Sequence, residues 1–264
     1  IARMLQFPFG QPLQKVEQVP FSGARVFVLG VYSSAVHARW IGPDKKQRAL
    51  ALAVASEPCI FWRGEDAASI ISAIQVPPEA GRLVDAGKRF NGPSGQSLDN
   101  HYLSPLGLTR ADAWLCDLLP ESRMNDKQAD RVEDYGRVAT ALGLPAATIR
   151  PVPAKFADQL RLEAILEEFL NSGAGTLITL GDQPLREFVA ALSLGHSRLR
   201  MYGALASQYG RLHTFSVRGR RFQLLPLTHP RQAGRLGYSN KGWGELHQNW
   251  VKNTAGEIAR MVGQ

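Results

Sequence analysis

The chain has 264 residues, of which 44% are hydrophobic and 20% are charged. A chain of this size and composition can bury a core of its own, and no stretch of about 18 apolar residues occurs, so we expect neither a disordered nor a membrane-spanning protein. Lys and Arg number 31 against 23 Asp and Glu, a formal charge of +8 that favours a polyanionic partner. Two cysteines are too few for a disulfide framework or a four-cysteine metal site, so we expect a reducing, cytoplasmic setting and no bound metal.

The first half of the chain predicts one strand of a central sheet, followed by smaller elements. Residues 24–30 form a short β-rich run that is closed by a glycine, which is typical of a buried strand. The smaller elements expected after it are a loop or short helix (34–40), a small hairpin (49–55 and 59–62), a helix (67–74), a helix start after two prolines (79–85) and a further helix (96–106).

The second half of the chain predicts strands that alternate with helices. The expected elements are strands (113–118 and 176–180), helices (126–142, 153–170, 184–194 and 242–261) and a hairpin whose strands are 212–217 and 222–227. This alternation favours a single α/β domain with a mainly parallel, four-stranded central sheet flanked by helices. The domain would carry an insertion at about residues 41–88 and a basic hairpin near its C-terminal motif. Ligands of such sheets bind beyond the carboxyl ends of the strands.

Positive charge is concentrated in one part of the chain. Between Gly195 and Gly244 there are nine cations and no acid. They are Arg198, Arg200, Arg211, Arg218, Arg220, Arg221, Arg231, Arg235 and Lys241. Two interpretations are open, a solvated basic hairpin and loop or a face that follows phosphates.

Four motifs follow one another near the predicted strand ends. They are VLGVYSSA (28–35), RFNGPSG with LD (89–95 and 98–99), GLTRADAWLCDLLP (107–120) and LPLTHPR (225–231). Together with LITLG at 177–181, they resemble in order the motifs of the uracil-DNA glycosylase superfamily, most closely families 4 and 5. The resemblance covers most of residues 25–261 apart from the insertion. It implies a DNA glycosylase of base excision repair, which hydrolyses the N-glycosidic bond of uracil or a related deaminated base after flipping it out of the DNA.

The resemblance assigns roles to His229 and Phe90. His229 corresponds to the histidine that donates a hydrogen bond to the base as it leaves as an anion. The alternative is a histidine that caps the loop before Pro230. Phe90 corresponds to the aromatic residue on which the flipped base stacks, and the alternative is a core phenylalanine.

Asp117 departs from the family pattern. It stands where relatives carry an asparagine that reads the edge of uracil. An ionised carboxylate can only accept hydrogen bonds, so Asp117 suits a donor such as the cytosine amine, or suits uracil when it is protonated. Because burial favours the neutral form, we expect an altered or broadened base preference. The alternative is that Asp117 caps the turn leading to Glu121.

The first loop also departs from the pattern, because no acid or amide occurs between Gly30 and Pro43. Gly30 and Val31 would line the base pocket, and Tyr32 and the hydroxyl of Ser33 or Ser34 remain to hold a water molecule or a phosphate. We therefore expect a slow enzyme or, as the alternative, a non-catalytic module that binds DNA or a damaged base on the same fold. An enzyme acting on a small nucleotide is a further alternative.

The loop after His229 is expected to contact DNA. In the superfamily this loop presses into the duplex, so Arg235 or Leu236 would fill the vacated space while Arg231, Arg235 and Lys241 bind phosphates. The alternative is a mobile surface loop. Family 4 binds an iron–sulfur cluster through four cysteines, whereas this chain has Cys59 and Cys116, so no cofactor is expected.

Overall fold

The computed structural model describes residues 5–233 and 241–263. The chain divides into two compact units. The first contains residues 5–16, 32–93 and 120–154, and the second contains residues 17–31, 94–119, 155–233 and 241–263. The single domain expected from the sequence stays a prediction, and the insertion expected at about 41–88 lies in the first unit.

The bounds of the regular elements are as follows. The strands are β1 (Val26–Tyr32), β2 (Ala35–Ile41), β3 (Gln47–Ser56), β4 (Arg82–Asp85), β5 (Ala113–Leu119), β6 (Thr176–Leu180), β7 (His213–Val217) and β8 (Arg220–Leu227). The α-helices are α1 (Ala67–Ser72), α2 (Pro93–Leu98), α3 (Asp126–Leu142), α4 (Gln159–Ser172), α5 (Asp182–Pro184), α6 (Pro230–Ala233), α7 (Lys241–Asn253) and α8 (Ala255–Ala259).

A five-stranded sheet forms the centre of the second unit, in the order β5-β1-β6-β8-β7. Strands β1, β6 and β8 run parallel, and β7 is antiparallel to β8. The α/β class, the mainly parallel sheet and the hairpin are thus confirmed. The sheet has five strands rather than four, because β7 pairs with β8 at its edge.

Helix α4 covers one face of this sheet. The Asp158 side chain caps its N terminus by accepting a hydrogen bond from the Arg161 amide at 2.9 Å. Gly173, with φ of 82°, ends it. Phe169 on its buried side lies 5.4 Å from Phe27 of β1 and 4.8 Å from Phe222 of β8, measured between ring centroids. These apolar contacts bury that face of the parallel strands.

The first unit contains a three-stranded antiparallel sheet in the order β3-β2-β4. Two sequence predictions were wrong here and a third held only in part. Residues 34–40 lie largely in strand β2 rather than in a loop or helix, and residues 59–62 form a turn rather than a strand. The helix start expected after the two prolines is present as a single 3-10 turn, Pro78–Ala80, but the chain then continues into strand β4. Long-range packing explains the first error, because Trp40 of β2 is buried against Leu52 and Tyr135 in the core of this unit. Tertiary contacts of this kind override local propensity.

Helix α3 has the predicted bounds, and Gly143 ends it with φ of 64°. The other predicted helices are shorter or divided. Residues 242–261 form α7 and α8, which are separated at Thr254, and the helix expected from 153 begins at Gln159. Within the described part of the chain, no helix is long and apolar enough to cross a membrane.

Candidate active site

The carboxyl ends of β6 and β8 meet beside His229 in the second unit. The amide of Gly181, which follows β6, donates a hydrogen bond to the Leu227 carbonyl at 2.8 Å. Gly181 has φ of 88°, and a Cβ atom there would lie 3.2 Å from Cβ of His229. Glycine is therefore required both by the backbone conformation and by the close approach of the histidine.

His229 lies two residues after the end of β8 and is partly buried. Its Nδ1 atom accepts a hydrogen bond from the Arg231 amide at 3.1 Å. The proton of the neutral ring must therefore be on Nε2, which makes Nε2 the donor. Burial lowers the pKa of His229 to about 4, and the charge of Arg231 acts in the same direction. At neutral pH the ring is thus an uncharged donor. The predicted loop-capping role is also present, because Nδ1 accepts the Arg231 amide. This bond leaves Nε2–H available as a donor.

Asp117 is buried near the end of β5, with 4% of its surface exposed. Desolvation raises its pKa to about 7, against the opposing charge of Arg161. The guanidinium of Arg161, on α4, donates to the backbone carbonyls of Asp117 at 2.7 Å and Leu118 at 3.1 Å. The carboxyl therefore keeps its proton to a much higher pH than an exposed aspartate does. This state agrees with the expectation that burial favours the neutral form.

The first loop contains a feature that the sequence did not reveal. The Ser34 amide donates to Oε1 of Glu57 at 3.2 Å, and Glu57 is 5% exposed. A carboxylate thus reaches the first loop, although the loop itself carries no acid. Glu57 lies 23 residues away along the chain. The pairing of Ala35 with Ser56 between β2 and β3 brings it there, and strand register was the signal that could have located it.

The other predicted residues of the first loop differ in exposure. Gly30 is buried and Val31 half-buried in the second unit, whereas Tyr32 is half-buried in the first. Ser33 is buried, and its hydroxyl donates to the Pro120 carbonyl at 3.0 Å. The proton of this hydroxyl is therefore committed to a bond within the fold, and its oxygen keeps capacity to accept.

Phe90 lies in a turn of the first unit and is half-buried. Its amide donates to the Gly87 carbonyl at 2.9 Å, and the guanidinium carbon of Arg89 lies 5.9 Å from its ring centroid. Phe90 is not among the buried residues of the core, which argues against the core-phenylalanine alternative. An accessible ring beside a cation suits base stacking.

Folding neutralises part of the basic stretch. Arg218 forms an ion pair with Glu167, and Nη1 of Arg211 lies 2.8 Å from Oε2 of Glu257. Arg220, Arg221 and Arg231 are exposed. Lys241 is also exposed, and its Nζ lies 3.7 Å from Oε1 of Glu245. An exposed ion pair of this kind contributes little to stability. Arg235 and Leu236 lie outside the described residues.

A scan against models of protein families finds no match for this chain, and a search of curated proteins finds no significant match. The likeness to uracil-DNA glycosylases therefore rests on the sequence motifs, and function must be argued from the chemistry of individual side chains. Cys59 is exposed and Cys116 is buried. Among the described residues, no three His, Cys, Asp or Glu side chains form a group that could hold a metal ion.

Proposed function

We propose that this protein is a DNA glycosylase that hydrolyses the N-glycosidic bond of uracil or a related deaminated base. The observation that carries the proposal is the state of His229. It is a neutral histidine at the carboxyl end of a parallel strand, and the Arg231 amide bonded to Nδ1 leaves the proton on Nε2.

This state fits the chemistry of the reaction. The bond between the sugar carbon and the base nitrogen breaks, and its electron pair leaves with the base. Water adds to the sugar carbon and loses a proton, which finally neutralises the anionic base. Negative charge develops on an oxygen of the departing base. A fixed Nε2–H donor stabilises that charge, and removing one such donor commonly costs about 100- to 1,000-fold in rate. With a pKa of about 4, His229 remains uncharged throughout the neutral range.

Asp117 supports a range of bases rather than uracil alone. In its protonated form it can donate to a base carbonyl, and in its ionised form it can accept from an amine. A pKa of about 7 makes both forms available near neutral pH. Uracil, hypoxanthine and xanthine are therefore the substrates to test first, followed by cytosine, whose amine can donate to either form of the carboxyl.

The charge of the second unit supports DNA as the partner. Arg231 is exposed two residues after His229, and Lys241 is exposed at the start of α7. Each cation that binds a phosphate adds affinity that falls as salt is raised. Phe90, in the first unit, keeps the stacking role that the resemblance implies, and its accessibility favours that role. The roles of Tyr32 and Ser33, in the same unit, remain predictions from the composition of the first loop.

The experiment is incubation of single-stranded and duplex DNA containing each base, followed by alkaline cleavage at abasic sites. The wild type is compared with His229→Ala and with His229→Gln, which retains a neutral donor. His196→Ala is the control, since His196 is an exposed histidine of the same unit. We expect His229→Ala to lose about 100-fold or more of the rate, His229→Gln to retain part of it and the control to match the wild type.

A binding module remains the second candidate, and the bonded Ser33 hydroxyl favours it. A wild type that forms no abasic site on any of these bases would refute the glycosylase proposal. Tighter binding of the same DNA than of undamaged DNA would then identify the binding module.

A further inference from the structure

A buried chain of hydrogen bonds holds the residue that precedes His229. The Tyr102 hydroxyl donates to the Thr228 carbonyl at 2.6 Å, and the Thr228 amide donates to the Tyr209 hydroxyl at 2.9 Å. The Tyr209 oxygen lies 2.7 Å from Nδ1 of His247, and Nε2 of His247 lies 2.8 Å from the His101 carbonyl. Both polar groups of the Thr228 backbone are therefore bonded to tyrosine hydroxyls.

The direction of every proton in this chain is determined. The His101 carbonyl can only accept, so Nε2 of His247 carries the proton and Nδ1 is the acceptor. The Tyr209 hydroxyl must therefore donate to His247 while it accepts from Thr228. Burial lowers the pKa of His247 to about 4, so the ring is neutral and this arrangement persists at neutral pH.

The residues of this series of hydrogen bonds are held by packing as well as by the bonds themselves. Thr228, Tyr102, Tyr209 and His247 are each 2% exposed or less. The ring of His247 lies 4.3 Å from that of Tyr102 and 5.2 Å from that of Trp250, measured between centroids. Beyond His229, the Ser97 hydroxyl donates to the Pro230 carbonyl at 3.3 Å. The backbone is thus held on both sides of His229.

We propose that Tyr209 and His247 are positioning residues for His229. By fixing the Thr228 backbone from within the core, they hold His229 where the Arg231 amide bonds Nδ1, and so keep the proton on Nε2. This inference rests on the proposed function, in which Nε2–H is the donor to the departing base. Small displacements of a reacting group can lower a rate by about 100-fold, so a defect remote from substrate should reduce turnover rather than substrate binding.

The test is Tyr209→Phe, which removes both the acceptor for Thr228 and the donor to His247. The matched control is Tyr135→Phe. The Tyr135 hydroxyl is bonded in the same way in the first unit, accepting from the Phe9 amide at 2.9 Å and donating to the Pro145 carbonyl at 2.7 Å. Both variants remove one buried, doubly bonded hydroxyl, so their reductions in stability to urea should be similar.

Two readouts separate positioning from stability. Nitrogen-15 NMR of the His229 ring, identified by its absence in His229→Ala, should show the Nε2–H tautomer in the wild type and in Tyr135→Phe, but both tautomers in Tyr209→Phe. Turnover should fall roughly 10- to 100-fold in Tyr209→Phe, with KM within about threefold. If Tyr209→Phe keeps the single tautomer and normal turnover while being destabilised as much as the control, the inference is overturned.

Two further comparisons cover other outcomes. If Tyr209→Phe does not fold, Tyr102→Phe removes the single bond to the Thr228 carbonyl and should give the same signature. His247→Gln can keep both bonds through its amide and should retain the wild-type tautomer, whereas His247→Leu should not, and equal effects of the two would also overturn the inference. If the wild type cleaves no substrate, the proposed function fails, and the tautomer comparison still decides the inference by itself.

Discussion

Replacing Asp117 by asparagine should stabilise the protein, and the gain should increase with pH. Asparagine has nearly the same size as aspartate and cannot ionise. In the wild type, the Asp117 side chain ionises as the pH rises, although it is buried in the sheet. The opposing charge of Arg161 reduces this cost without removing it, because the pKa of Asp117 is raised to about 7 from 3.8.

The magnitude follows from that difference in pKa. Between pH 3.8 and about 7 the folded state retains a proton that the unfolded state has released, so stability falls as the pH rises through this window. The full cost is about 4 kcal/mol, at 1.36 kcal/mol for each pH unit. Between pH 5 and pH 8, the stability difference between Asp117→Asn and the wild type should therefore grow by about 3 kcal/mol.

The assay is urea unfolding of both proteins at pH 5, 6.5 and 8, followed by tryptophan fluorescence. Groups that titrate equally in the two proteins contribute equally to both free energies of unfolding. The difference between the two free energies therefore reports the titration of Asp117 alone. A difference that stays constant with pH would refute the reasoning, as would a variant that is less stable than the wild type at pH 8. With DNA substrates that carry the different bases, the variant should also favour uracil and show no pH dependence of base preference.

Three further predictions concern other parts of the molecule. Burial lowers the pKa of His37 and that of His247 to about 4 from 6.5. As the pH falls from 7 to 4.5, each histidine binds a proton in the unfolded state but not in the folded state, which should lower the stability by about 2 to 3 kcal/mol per histidine. Urea unfolding at both pH values measures this decrease in stability. In His37→Gln the decrease should be smaller by the contribution of one histidine, and an unchanged decrease would count against the prediction. Gly181→Ala should cost about 1 to 3 kcal/mol, because φ of 88° with ψ of −171° is a conformation almost confined to glycine. It should also lower turnover by displacing the histidine after β8, so normal turnover per folded molecule would contradict this prediction. Replacing Arg231 and Lys241 by glutamine should lower the dependence of log affinity for duplex DNA on log salt by roughly 0.9 for each phosphate that the variant no longer binds, and identical salt titrations would exclude phosphate binding by these two side chains.

The predictable parts of the fold are those with a local signal. Strands β1, β5 and β6 and the second half of β8 are short apolar runs near glycine or proline, and α3 has a capping asparagine and a terminal glycine. Strand β2 lacks such a signal. Its sequence, AVHARWI, includes alanine, histidine and arginine, and it becomes a strand through pairing with β3 and with β4, which lies more than 40 residues further along the chain.

The sequence by itself determined which residue types lie near the strand ends, including His229 after β8 and Asp117 near the end of β5. The tertiary structure decided what those residues can do. The tautomer of His229 depends on the Arg231 amide, and its low pKa depends on burial. Likewise, the acid-free stretch acquires acidic partners, Glu167 and Glu257, from distant helices. Proton positions and net local charge are properties of neighbours in space, and a linear pattern does not specify those neighbours.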